Sequence, residues 1–536
     1  MRDLKNKRQS NIKVFKNPDK SMTAAIYKEA VHYRKNGRWE DIDNTLSMEE
    51  VTAYTAARSA QETAWYVNGA NAFEARFAAA AKDVIAQVDM EAYHADWTLK
   101  DCQMTEGVLM ENHTGIIYPD IFSGVNLTYS LEGQKVKENL ILSEKSANRP
   151  FRFIYRLNGL VPEYKDGEVI LKDAQDHDVF NILRPMMRDS GSGVSDEVHT
   201  DFELTEDGFM LTLTADEQWL EDTDRVWPVY IDPSMTTSTA VADIHDTYIA
   251  SGYAGSNFFQ THLLETGQTS KAGIMRSFMQ FKLPELKSAD MVVSARLLLT
   301  CYSQNNVSKQ VNVHRVTSAW SDQTVTWNNR PSYDEKIADF AIFGDTTGKV
   351  VDFDITGIVK DWYTNGKNYG VMIKDSTEEG HYNEFLASSC DNAYASYRPQ
   401  ILITYVNYNG LEDFWTYHNQ NIGRAGTAYV NDYNGNLILT KDMAQTYGNR
   451  MPAVLTHVYN SNDKDTDIGY GYGFRLNYHQ TVKPVTIGST AYYEYVDEDG
   501  TAHYFYKDEN QKWIDETGIQ LTLIIGTGTE DMYTIT

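Results

Sequence analysis

Along most of this chain apolar residues recur at every second position in short runs closed by Gly, Asp or Asn, the spacing of half-buried strands rather than of helices. Between Gly115 and Asp232 the runs IIYPDIFSGVNLTYSL, ENLILS, FRFIYRL, GEVIL, GFMLTLTAD and WPVYID succeed one another in this way, with turns about 8–12 residues apart as in antiparallel β domains. Nearer the start, polar and apolar residues alternate from Ala24 to Leu46 around Lys35-Asn36-Gly37-Arg38. Asn-Gly between alternating runs predicts a tight hairpin, because both residues accept the positive φ that its turn requires. A hairpin is therefore expected to open the chain. The stretch from Ser47 to Val88 is richer in Ala and Glu. It predicts a helix between Met48 and Ala64, while AFEARFAAAAKDVIAQV fits a strand followed by a loop as well.

The segment PSMTTS at 233–238 marks a boundary. Beyond it, from about Ala240 to Val406, the alternation defines faces. Ala295, Leu297, Leu299 and Cys301 share one side of a strand, as do Val311 and Val313, then Val351, Phe353 and Ile355, then Val371 and Ile373, then Ile401, Ile403 and Tyr405. Such strands need a second sheet to cover them, which predicts a sandwich. Ile355, Ile358, Val359 and Trp362 break the pattern with helical spacing, with Thr356 placed to cap the start and Gly366 just past the end. After Asn407 the texture turns to Gly- and Tyr-rich strands, the last pair folded around Asp499-Gly500. The expected fold is mainly β and multidomain: a β-rich leader over residues 1–235, a β-sandwich over 240–406 and a third β region over 407–536.

Composition agrees with this division. At 536 residues the chain exceeds one ordinary core, and 42% hydrophobic residues suffice for several. The 35 Tyr suit pleated faces whose rings keep a polar tip wet. A net charge of −27 argues against nucleic acid or an anionic lipid surface as partner, since both demand a positive patch. Cys102, Cys301 and Cys390 are too few and too far apart for a disulfide framework or a metal knot. They read as small buried hydrophobes, with a Cys301 to Cys390 bridge as the lesser alternative. No run of about 18 apolar residues is available to span a membrane. The basic, polar start MRDLKNKRQSNIKVFKNPDKS has no secretory core, and GTGTEDMYTIT ends within a strand-like pattern. An export signal is therefore expected upstream, and the chain is expected to be a piece of something longer.

Three stretches resemble the N-terminal part of wall-associated RHS (YD-repeat) proteins of Gram-positive bacteria. VHYRKNGRWEDIDNTL, YPDIFSGVNLTYSLEGQKVKENLIL and VWPVYIDPS are similar to their leader region. DTYIASGYAGSNF, RSFMQFKLPEL, SAWSDQTVTWNNRP, DITGIVKDWYTNGKNYGVMIKD and YRPQILITY resemble, in order, a DNRLRE domain, a jelly-roll sandwich grouped with carbohydrate-binding modules. NGNLILTKDM, GNRMPAVLTHVYNS and IGYGYGFRLNYHQ resemble the opening of an RHS shell. The resemblance implies a secreted, cell wall-associated protein whose partners are polysaccharide and the downstream RHS repeats. In that family of polymorphic toxins, YD repeats build a closed β shell around a C-terminal toxin. The repeat array and any toxin are missing from this sequence, which departs from the full family at that point, so the resemblance assigns it no toxicity.

The candidate glycan-binding residues are Trp320, Trp327, Asn328, Arg330, Tyr253, Phe259 and Arg276. Each has a structural alternative. Trp320 and Trp327 offer flat faces for a sugar ring, but large aromatics in a sandwich more often fill the core. Asn328, Asn329 and Arg330 offer donors to hydroxyls or uronate carboxylates, or simply shape the turn before Pro331. Arg276 and Arg398 could fork onto an acidic sugar, with an internal carboxylate the first alternative. Tyr253, Phe258 and Phe259 sit in a Gly- and Ser-rich loop, as exposed contacts or loop plugs. No cofactor is expected. Asp352 and Asp354 present oxygens for calcium, but solvation or capping of the following helix explains them better. Asp463, Asp465 and Asp467 alternate like a calcium loop without its closing Glu, and read as a hairpin loop. No Gly-x-Ser-x-Gly elbow, His-Glu-x-x-His or phosphate loop occurs. The leading reading is a non-catalytic surface module that binds glycan; a structural leader or plug of the shell, and a polysaccharide lyase or hydrolase, compete with it.

Overall fold

The computed structural model describes all residues except 50–63, 192, 224, 241, 260, 288–289, 302–308, 344–347, 379, 381–382, 391, 393–394, 408–409, 448–452, 488–489, 509, 517–520 and 527–532. It is mainly β, built from antiparallel sheets in several units, and no described helix is long and apolar enough to cross a membrane.

The first unit is a two-sheet leader. Its eight-stranded sheet runs in the order Val198–Leu204, Gly208–Ala215, Phe151–Asn158, Tyr93–Leu99, Ala86–Met90, Glu74–Ala78, Trp65–Ala70, Asp43–Met48. The other has eleven strands, among them Gly115–Phe122, Val125–Glu132 and Lys135–Leu142. Alternation along each strand sends Phe77, Trp97, Tyr155 and Phe209 from one sheet, and Tyr118, Leu127, Tyr129 and Leu140 from the other, into one buried core. The hairpin at Asn36-Gly37 forms between His32–Lys35 and Arg38–Asp41, with φ of 51° and 77° at the two turn residues. It does not open the chain, however, because three strands precede it. Of the helix expected from Met48 to Ala64, Met48 ends a strand, and residues 50–63 lie outside the described residues.

The second unit is a sandwich. Tyr333–Phe343, Lys309–Val316, Val371–Asp375, Gly273–Phe281, Leu263–Thr269 and Asn383–Ser388 form one sheet, with Ile244–Ala250 added along Gly273–Phe281. The facing sheet is six-stranded and contains Asp290–Thr300, Val350–Asp354 and Gln400–Asn407. The inward residues read from the alternation meet in one core, with Val351 packed half-buried at its margin. The helix forms over Thr356–Asn365, burying Ile358, Val359 and Trp362 and ending at Gly366 with φ 70°. Its start differs from expectation. The Thr356 hydroxyl accepts the Ala295 N–H (2.9 Å) instead of capping its own helix, while Asp354 Oδ1 accepts the Thr356 N–H (2.9 Å).

Strand pairing also crosses the expected boundary at 235. Arg2–Asp3, Ile12–Lys16 and Met22–Ile26 complete the six-stranded sheet, Met22–Ile26 running antiparallel to Gln400–Asn407 with Ala24 opposite Ile403. Ile12, Val14, Met22, Ala24 and Ile26 join the sandwich core. Beyond residue 407 come a five-stranded and a six-stranded meander. No disulfide joins the three cysteines; Cys301 and Cys390 are buried and Cys102 is half-buried.

Candidate functional site

The seven-stranded sheet of the sandwich carries a second apolar cluster on the face turned away from the main core. Along Gly273–Phe281, Met279 and Phe281 enter the main core, while Phe278 joins Ile249, Val316, Val325 and Met372 in the second cluster. Trp320, Trp327, Tyr333 and Tyr369 pack around it half-buried. The strand period of two dictates this: with Val371 and Ile373 inward, Met372 and Lys374 must face the other way.

Arg276 shares the parity of Phe278 and stands at the centre of this face. Its guanidinium grips Glu378 with Nε and Nη2 at 2.6 and 2.8 Å, and Lys374 Nζ lies 3.3 Å from the same carboxylate. Burial opposes charge on both Arg276 and Glu378, but their pairing outweighs it, holding the guanidinium above and the carboxyl below its ordinary pKa. Tyr333 is beneath both cations, 5.6 Å from each to its ring centre. Trp327 lies 5.1 Å from the Arg276 guanidinium and 4.7 Å from that of Arg330. Its ring is therefore presented together with two cations, not as a bare platform.

The loop 317–332 supplies the rim. Trp320 turns down onto Phe278 (5.6 Å between rings) and donates its Nε1–H to the Tyr369 carbonyl (2.8 Å), so it packs against the sheet. Asn329 closes the turn, accepting the Thr326 N–H (2.6 Å) and donating to the Thr324 carbonyl (3.0 Å). Arg330 donates to the Trp327 carbonyl (2.6 Å). The side chains of Asn328 and Arg330 remain exposed. A second loop abuts this one: the Asn328 N–H donates to the Ala254 carbonyl (3.1 Å), and Asn257 Nδ2 donates to the carbonyls of Asp322 and Val325. Tyr253 meets Phe258 edge-on, and Phe258 stacks on Tyr248 at 4.2 Å, so this pair plugs the loop; Phe259 is half-buried.

The geometry thus gathers Trp327, Asn328, Arg330, Arg276 and the loop of Tyr253, and directs Trp320 into packing. Tyr333, Lys374 and Glu378 complete the surface and were not singled out in the sequence. Lys374 was detectable from the parity of Val371 and Ile373. Glu378 lies in an irregular loop whose approach to Arg276 no local pattern encodes. Arg398 has internal partners, the Asn392 carbonyl (2.7 Å) and Glu132 (2.9 Å) of the leader. Asp352 and Asp354 pair with Arg296 at 2.7 and 3.2 Å. Asp463 pairs with Arg475, Asp465 with Lys464, and Asp467 accepts the Gly469 and Gly471 N–H groups.

A sheet face with half-buried rings, two cations and exposed amide donors suits a ligand rich in hydroxyl groups, which offers apolar ring faces and polar edges together. Residues 237–405 match carbohydrate-binding module family 96. Every residue of this face lies inside the match. Over 442 residues the chain is 27% identical to the tRNA3(Ser)-specific nuclease WapA of Bacillus spizizenii and to the tRNA nuclease WapA of Bacillus subtilis. That alignment covers 78% of this chain and 18% of each WapA protein, so the chain spans under a fifth of their length. A wall-associated protein of Geobacillus stearothermophilus is 24% identical over 198 residues, 35% of this chain and 77% of that protein.

Proposed function

We propose that this chain is the non-catalytic front part of a secreted, cell wall-associated RHS-repeat protein whose sandwich binds cell-wall or other polysaccharide. The observation that carries the reading is the outward face around Arg276, Glu378, Lys374, Trp327 and Tyr333, lying within the carbohydrate-binding-module match. Wall association is supported by the Geobacillus relative, named a wall-associated protein. The nuclease activity in the WapA names belongs to proteins of which this chain matches 18%. A chain of net charge −27 is poorly suited to hold RNA.

The test uses the full chain. Sedimentation with purified Gram-positive walls and affinity electrophoresis in neutral and uronate polysaccharides should show retention. Trp327→Ala and Lys374→Ala should each weaken it by about tenfold, the loss of one stacking or charged contact. Absence of retention on every wall and polysaccharide removes the binding claim. It would favour the second reading, a structural leader of the RHS shell, which the tie from Arg398 to the leader's Glu132 supports. Release of reducing or unsaturated sugars during incubation would instead mean a lyase or hydrolase.

A further inference from the structure

Outside the sandwich, among the described residues, Glu412, Asp497 and His503 bring three donor atoms within 4.8 Å of one another. They come from distant parts of the chain. Glu412 lies on the segment that leaves the sandwich after Asn407. Asp497 follows the strand Thr490–Val496, and His503 lies near the start of its hairpin partner Ala502–Lys507. His503 Nε2 is 2.9 Å from Asp497 Oδ2 and 3.8 Å from Glu412 Oε1.

The backbone holds these elements together. The Gly410 N–H donates to Thr501 Oγ1 and the Leu411 N–H to Asp499 Oδ2, both at 2.5 Å, stitching the crossing segment to the hairpin turn. The Glu412 N–H is taken by the Tyr417 hydroxyl at 2.8 Å.

Two further observations point to a ligand. The His503 side chain is only 4% exposed and directs Nε2 at both carboxylates. An imidazole held this deep, with one ring nitrogen facing two carboxylates, is placed to give that nitrogen to an ion between them. The second observation is charge. Asp499, 8% exposed, adds to Glu412 and Asp497, while the neighbouring guanidinium of Arg475 is committed to Asp463 at 2.8 Å. Glu412, Asp497 and Asp499 thus stand around one imidazole, an acidic excess that a cation would offset.

We propose that Glu412, Asp497 and His503 bind one divalent transition-metal ion, Zn²⁺ in preference to Ca²⁺ or Mg²⁺, and that the ion fastens the crossing segment to the hairpin. Imidazole nitrogen with two carboxylate oxygens is a donor set for Zn²⁺ at about 2.0–2.2 Å, whereas calcium and magnesium take oxygen shells. Tetrahedral donors at that radius stand about 3.4 Å apart. Reaching this spacing asks the Glu412 carboxylate, 14% exposed, to close in from 3.8 Å and the His503–Asp497 contact to open from 2.9 Å. Solvent at Glu412 and Asp497, 14% and 16% exposed, supplies the fourth position. The site is independent of any glycan bound by the sandwich.

The experiment is zinc titration of the chelator-stripped full chain by calorimetry, with calcium and magnesium alongside and melting followed by circular dichroism. Saturable binding of one ion per chain and a raised melting temperature are expected with zinc, and neither with calcium or magnesium. Glu412→Gln and Asp497→Asn should each weaken zinc binding by at least about tenfold. Should Asp497→Asn misfold, Glu412→Gln decides together with cobalt substitution: tetrahedral Co²⁺ gives intense visible bands in the native chain that this variant should lack. No saturable zinc binding, or binding unchanged in Glu412→Gln, overturns the proposal, as does equal response to calcium.

Discussion

Glu138 shows what one buried carboxyl does to stability. It projects from Lys135–Leu142 into the leader at 3% exposure, and its Oε1 has no hydrogen-bond partner. Burial raises its pKa from 4.5 to about 8; the Tyr129 hydroxyl and Trp97 indole favour the charged form, and the charge of Asp232 works against it. The folded pKa is above the unfolded one, so between 4.5 and about 8 the folded state holds the extra proton. Stability therefore falls as pH rises through that window and levels off above it. Glu138→Gln keeps the shape and removes the titration. At pH 7.5 it should stabilise the leader by about 2–3 kcal/mol, with little effect at pH 4. Amide exchange of Lys135–Leu142 in the full chain measures this locally. A variant less stable than the parent at pH 7.5, or a difference that ignores pH, would contradict it.

At the level of elements, the sequence made legible whatever depends on neighbours along the chain. The faces of Asp290–Thr300, Val350–Asp354 and Gln400–Asn407, the Asn36-Gly37 turn and the helix ending at Gly366 are local in this sense. Partnership across sequence was not. Met22–Ile26 pairs with Gln400–Asn407, and the alternation that shows a strand says nothing of which distant edge it joins. The same limit divides the candidate site: Trp327 and Arg276 stand out in their own segments, whereas Glu378 gains its meaning only by folding onto Arg276. One consequence concerns the sandwich itself. Ile12, Val14, Met22 and Ile26 are at most 3% exposed, each contributing about 1.5–3 kcal/mol of burial. A fragment of residues 237–407 should therefore bind hydrophobic dye and be cleaved readily by protease. Residues 1–30 joined to its C-terminus by a flexible linker should restore resistance. A fragment as resistant as the full chain without them would show those strands to be dispensable.

Over the whole molecule, charge pairs at low exposure join the units. Glu516, from the C-terminal meander, receives Lys7 of the first strands at 2.9 Å and also Lys287 of the sandwich. Lys287 is held below the ordinary lysine pKa by burial and by Lys7 beside it. Between leader and sandwich, Arg398 Nη2 meets Glu132 Oε2 at 2.9 Å, with side chains 13% and 17% exposed. Burial would raise the Glu132 carboxyl, but Lys137, Arg398 and Lys135 outweigh it and hold it at about 2, against 4.5 ordinarily. Because the folded pKa is the lower one, this contribution is complete above about 4.5 and is lost as pH falls toward 2. Arg398→Gln should remove about 1–3 kcal/mol at pH 7, less than the whole shift because Lys135 and Lys137 remain. Calorimetry of the full chain should show the leader and sandwich transitions moving apart in the variant. Acidification from pH 5 to pH 2.5 should shrink the gap between variant and parent, because Glu132 begins to take up a proton there, first in the variant, and the protonated form does not distinguish arginine from glutamine by charge. A gap that is constant over that range would place the Arg398 effect in packing or in its bond to the Asn392 carbonyl, and leave the two units joined by something other than this ion pair.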